Sequence, residues 1–102
     1  MATDYEYHFE WDATKAGSNL RKHGISFDLA ATVFLDPLMI TIPDDEHSEN
    51  EERWITMGKA GNSELLLVVH TFLEISANEA NVRIISARPA TKHERRQYEA
   101  DL

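Results

Sequence analysis

The chain has 102 residues, 42% hydrophobic and 27% charged, the composition of one small globular domain and not of a disordered, collagenous or long coiled-coil chain. Ten Lys+Arg against eighteen Asp+Glu give a net charge of −8, which at first sight opposes nucleic-acid binding. There is no cysteine, so a disulfide framework and a zinc–thiolate site are excluded, and the longest apolar run, 65–69, is too short for a membrane span or a signal-peptide core. The expectation is a single cytoplasmic domain over residues 1–102.

In chain order, Tyr5, Tyr7 and Phe9 alternate with Glu6, His8 and Glu10, which predicts a strand with an aromatic face. Asp12 is a good N-cap for a helix over 13–23 with a thin apolar side, Ala13, Ala16, Gly17 and Leu20. Gly24 stops it after Arg21 and Lys22, cations that suit a helix C-terminus. Ser26 caps a second helix whose buried stripe is Phe27, Ala30, Ala31 and Phe34, ended by Asp36-Pro37.

The remainder reads mostly as strand. Residues 38–42 form one, bounded by Pro43, and the acidic stretch 44–52 is a loop because like charges repel and leave no apolar face. Residues 53–59 form a strand and 60–63 a hairpin turn; the next strand opens at Glu64, and its run 65–69 is apolar on both faces, as in a central strand. The stretch 73–81 is ambiguous between a strand continued to Ile75 and a loop built on Ser76, Asn78 and Asn81. Residues 82–87 are a strand, and the Thr91/Glu94 capping box opens a polar helix running to about Ala100. The order β-α-α-β-β-β-β-α predicts an α+β fold. A small antiparallel sheet has two N-terminal helices on one face and a C-terminal helix, and the other face is partly open.

The charge is unevenly spread. Asp44, Asp45, Glu46, Glu49, Glu51 and Glu52 cluster in the loop, and Asp4, Glu6, Glu10 and Asp12 lie near the N-terminus. Outside these segments bases slightly outnumber acids, which suggests an acidic rim around a mildly basic body.

Among the histidines, His70 lies in an apolar strand, and the pattern alone favours a hydrogen-bonded core or edge role over that of a general acid or base at a strand end. His23 ends the first helix as a dipole partner, His93 sits in the polar helix, and His8 and His47 carry no further signal. The acidic loop with His47 has neither EF-hand spacing nor a His-Glu-x-x-His pattern, so it reads as a solvated charge run and no metal site is assigned. There is no glycine-rich phosphate loop and no Gly-x-Ser-x-Gly elbow.

The cations are more informative as a set. Arg53 opens one strand; Arg83 and Arg88 are five apart on the last, so alternation sends them to opposite faces unless the strand ends before Arg88. Arg88 leads through Pro89 to Lys92, His93, Arg95 and Arg96, a cationic junction of sheet edge and helix N-terminus suited to a phosphate. The other reading pairs these residues with Glu94, Glu99 and the acidic loop.

Several motifs together resemble the BrnT family of type II toxin–antitoxin toxins. They are Phe9-Glu-Trp-Asp12, Ser18-Asn-Leu-Arg-Lys-His-Gly-Ile-Ser-Phe27, Glu51-Glu-Arg-Trp54, Val69-His-Thr71, Arg83-Ile-Ile-Ser-Ala-Arg-Pro-Ala90 and Glu94-Arg-Arg-Gln-Tyr98. They occur in order and cover nearly the whole chain. The resemblance implies a RelE-like fold, a ribonuclease that arrests translation, and as partner a BrnA-type ribbon-helix-helix antitoxin that reaches operator DNA, so that the chain meets DNA only through the antitoxin. A dimeric antitoxin would impose a 2:2 complex. The Lys22-His23-Gly24 turn, Arg53, Arg88 and Glu94-Arg95 match the family's motif positions, and His70 and Arg83 match many members.

With that family in view, the expected reaction is metal- and cofactor-independent RNA cleavage by the 2′-OH. Arg88 and Arg53, and more weakly Arg83, would bind the phosphate. His70 is the first choice for proton transfer, followed by Glu94 or His23. Lys22, Lys92 and Arg95 would track the RNA backbone, and Tyr98 would stack on a base or pack on the sheet. The alternative is a toxin-like binding module that has lost catalysis and serves as antitoxin partner and co-repressor. A metal hydrolase built on the acidic loop is a third option, which EDTA would inhibit.

Overall fold

The aromatic alternation near the N-terminus forms β1 (Glu6–Glu10), with Tyr7 and Phe9 turned inward and Glu6, His8 and Glu10 exposed. The computed structural model describes residues 5–47 and 51–100, His47 by its backbone alone; Asp4, Glu49 and the His47 side chain lie outside the described residues. Helix α1 (Ala13–His23) starts where Asp12 accepts the Lys15 N–H at 2.9 Å, and it ends at Gly24, whose φ of 70° is left-handed and suits glycine. Helix α2 (Phe27–Ala31) is capped by Ser26 and tightens into a 3₁₀ turn at Thr32–Leu35, so the Phe27-to-Phe34 stripe continues across both.

The sheet contains β2 (Ile40–Pro43), β3 (Trp54–Lys59), β4 (Leu65–His70), β5 (Leu73–Ser76) and β6 (Glu79–Pro89), and the chain ends in α3 (Lys92–Ala100). Its order is β1-β6-β4-β3-β2, with β5 also on β6. All pairings are antiparallel except β1–β6, which is parallel. The sheet is thus the expected small antiparallel one but for this single parallel pair. Adjacent strands joined by hairpins must reverse direction, but β1 reaches the sheet through two helices and is free of that constraint. The ambiguous stretch 73–81 resolves into a sixth strand: β4 breaks at Thr71-Phe72 and resumes as β5, and Asn81 lies inside β6 instead of in a loop.

Helices α1 and α2 cover one face. Ile25, Phe27, Ala30, Val33 and Phe34 pack on Leu66, Val68, Val82, Ile84 and Ala87. Buried Asn19 of α1 clamps the last strand: its amide donates to the Ala87 and Ile25 carbonyls and accepts the Ala87 N–H. The opposite face carries a smaller cluster, Met57, Leu65, Leu67 and Tyr98, beneath α3. Both faces of β4 are therefore covered over its first four residues, which explains its uninterrupted apolar run.

Candidate active site

One irregularity sets the face on which the arginines gather. Val69 pairs with Ser86 but His70 pairs with Ile84, so Ile85 is an extra residue in β6. A bulge of this kind inverts the alternation beyond it. Val82, Ile84 and Ala87 all point to the helix-covered core. Arg83 and Arg88, five apart, consequently emerge on the same, opposite face, where strict alternation would have separated them.

On that face lies a cleft of about 620 Å³. His23 from the end of α1, Arg53 from the start of β3 and Arg88 from the end of β6 line it, over a floor of Ile55, Leu67 and Val69. Asp44, Asp45 and Glu46 also line it. The Asp44 N–H donates to the Arg53 carbonyl at 2.8 Å and continues the β2–β3 ladder, which draws the acidic loop against the cations. The loop is thus a cleft wall as well as a rim. Asp44 is buried in it and was the residue missed by sequence reasoning, because nothing in a run of acids marks one member for burial.

Arg88 is held by Glu94 in a two-pronged pair of 2.9 and 2.8 Å. Glu94 also closes the capping box of α3, accepting the Thr91 N–H at 2.8 Å while its own N–H donates to Thr91 Oγ1. The Arg88 bonds hold the Glu94 carboxyl down at about 2, and Glu94 in turn raises Arg88. Glu94 is therefore a carboxylate at any ordinary pH and a weak base, suited to orienting Arg88. Arg83 lies outside the cleft lining and bonds to Glu51, which also sits 3.8 Å from Arg53. The Arg83 bond holds Glu51 below the usual carboxylate range.

His70 does not join this group. It lies on the helix-covered face, 1% exposed, with its ring edge-on to Phe34 at 4.9 Å. A carbonyl only accepts, so Nδ1 donates to the Thr71 carbonyl at 2.9 Å; the neutral ring's Nε2 then accepts from Thr56 Oγ1 at 2.7 Å. Thr56 in turn accepts from Thr41 at 2.8 Å. Burial pushes the His70 pKa down, in keeping with a neutral ring. Both nitrogens are occupied on the wrong side of the sheet for chemistry in the cleft. Tyr98 is likewise placed structurally: 2% exposed, it donates to Asp36 Oδ2 at 2.5 Å, and burial raises its pKa to about 12. It offers no face for base stacking. Lys22, Lys92 and Arg95 are exposed and outside the cleft lining. Among the described residues no three His, Asp or Glu donors converge in the cleft.

Residues 11–94 match the family described as "Ribonuclease toxin, BrnT, of type II toxin-antitoxin system". The chain belongs to the BrnT family. No curated protein matches it. Among solved structures, the chain is similar to the Brucella abortus ribonuclease toxin BrnT, determined at 1.1 Å, with 24% identity and a TM-score of 0.60 over 85% of this chain and 99% of that one. This supports the BrnT fold. The family match spans His23, Asp44, Arg53, Arg88 and Glu94 and stops just before Arg95 and Tyr98. As members of a type II system, BrnT proteins are toxins that act with an antitoxin partner.

Proposed function

We propose that the chain is the toxin of its module and a metal-independent endoribonuclease, with the His23–Arg53–Arg88 cleft as its site. The observation that carries this reading is the convergence of one imidazole and two guanidinium groups from three separate elements. RNA supplies its own nucleophile, the 2′-OH. Arg53 and Arg88 neutralise the scissile phosphate and its phosphorane, while His23 moves the proton from the 2′-OH. The departing 5′-oxygen takes up a proton, and the products are a 2′,3′-cyclic phosphate and a 5′-hydroxyl. Glu94 positions Arg88 and yields it to the phosphate. Lys22, Lys92 and Arg95 track the backbone outside the cleft, and Arg83 acts through Glu51.

The partner under this reading is a BrnA-type ribbon-helix-helix antitoxin in a 2:2 complex, both proteins cytoplasmic, with operator DNA bound through the antitoxin. A specific observation favours the second reading, a binding module without catalysis: three acids line the cleft together with the cations and Glu94 already occupies Arg88. Cleavage of a labelled, partly single-stranded RNA in EDTA by untagged protein, beside Arg88→Ala, separates the two. The expected result is cleavage by the wild type alone, leaving cyclic phosphate ends. Equal cleavage by both would remove Arg88 from the site. No cleavage by folded protein, with antitoxin binding lost in Arg88→Ala, would establish the binding module.

A further inference from the structure

A second cluster lies away from the cleft, at the β1 edge of the sheet. In the parallel β1–β6 pair Glu6 is directly opposite Glu79, and His8 lies two residues along β1. In-register residues and i, i+2 neighbours share a face, so these three side chains converge on the exposed side, while Tyr7, Ala80 and Val82 face inward. His8 Nε2 is 3.0 Å from Glu79 Oε1 and 3.8 Å from Glu6 Oε2, and one ligand atom from each of the three lies within 4.8 Å of the others. Tetrahedral zinc with nitrogen and oxygen ligands at about 2.0–2.2 Å needs its donors roughly 3.3–3.6 Å apart, so small side-chain rotations close the set.

Two further features argue for a cation. Among the described residues no lysine or arginine pairs with Glu6 or Glu79; their shared partner is His8. Two carboxylates drawn together around one imidazole repel one another, and a divalent ion cancels both charges. Ser76 Oγ, its one proton shared between Asn78 Oδ1 at 3.1 Å and Glu79 Oε2 at 3.2 Å, engages the Glu79 oxygen that is turned away from His8, the kind of outer hydrogen bond that orients a ligating carboxylate.

We infer that Glu6, His8 and Glu79 bind one divalent transition-metal ion, of which zinc best fits one imidazole and two carboxylates, with water completing the coordination. The ion fastens β1 to β6, the one parallel strand pair among the described residues. It is a structural clip, remote from the cleft, and does not take part in RNA cleavage.

The test is calorimetric titration of ZnCl₂ into untagged, EDTA-stripped and desalted full-length protein, with thermal melts in parallel. The wild type is expected to bind one equivalent saturably and to gain several degrees in Tm, as ligand binding to the native state alone requires. His8→Ala and Glu79→Gln should lose both effects while keeping the wild-type far-UV spectrum in EDTA; Glu6→Gln serves if either variant unfolds. Co²⁺ bound to the wild type should give the visible absorption of a four-coordinate site. The proposal is overturned if no saturable binding occurs, or if the folded variants bind zinc as the wild type does, which would place the ion elsewhere. Loss of the zinc-induced Tm gain with unaltered cleavage in EDTA separates this site from the ribonuclease reading.

Discussion

Glu94 is both the capping-box acceptor of α3 and the counter-ion of Arg88. Glu94→Gln keeps the cap, since glutamine serves in the same motif, and removes only the charge. The Arg88 side chain is 41% exposed, so solvent screens the pair and the expected cost is about 1 kcal/mol at pH 7. The sign follows from linkage. The folded-state pKa of about 2 lies below the ordinary 4.5, so the stabilisation is complete above 4.5 and is lost as pH falls towards 2. Urea unfolding at a series of pH values should show the gap between wild type and variant closing over that window. A gap independent of pH would mean that the ion pair is not its cause. His70 gives the same sign for a different reason: burial favours its neutral ring, so stability is complete above its ordinary value of 6.5 and falls away below it.

At the scale of elements, Gly58 governs how closely β3 approaches the 3₁₀ turn. A Cβ there would lie 2.9 Å from Val33 Cγ1 and 3.2 Å from both Asp36 Oδ2 and Met39 Cβ. The same Asp36 carboxylate accepts from the N–H groups of Lys59 and Leu38 and from the Tyr98 hydroxyl, tying β3, the helical layer and α3 together. Burial is the largest single influence on its pKa and raises it, but those bonds together outweigh it and hold the pKa below the usual value. Gly58→Ala should therefore destabilise by about 1–3 kcal/mol through overpacking. A thermal or urea midpoint equal to that of the wild type would show that this contact yields freely. The bulge at Ile85 belongs to the same scale, because one extra residue decides which face Arg83 shares with Arg88.

Across the whole molecule, a charge of −8 sits uneasily with RNA as substrate. Asp45 and Glu46 on the cleft wall repel an incoming phosphate directly. The double variant Asp45→Asn/Glu46→Gln should bind a short single-stranded RNA several-fold more tightly at low salt, measured by fluorescence anisotropy. The gain should shrink as the Debye length falls to about 10 Å at 0.1 M salt. Unchanged affinity at low salt would mean that RNA does not pass this wall.

Much of the architecture was legible in the residues themselves. Aromatic alternation, N-caps at Asp12 and Ser26, the stop at Gly24 and the Thr91/Glu94 box are local signals, because each depends on backbone geometry within a few residues. The matching of long motifs reached the BrnT family for the same reason: it compares strings, and strings are in the sequence. The gathering of His23, Arg53 and Arg88 was decided only by the tertiary structure, since they lie on elements that meet through strand order and register. So was the fate of His70: a histidine ending an apolar strand is written identically whether its ring faces a cleft or a threonine beneath two helices. The parallel β1–β6 pairing, the burial of Asp44 and the bulge that reunites two arginines are likewise non-local, fixed by which surfaces the folded chain must cover.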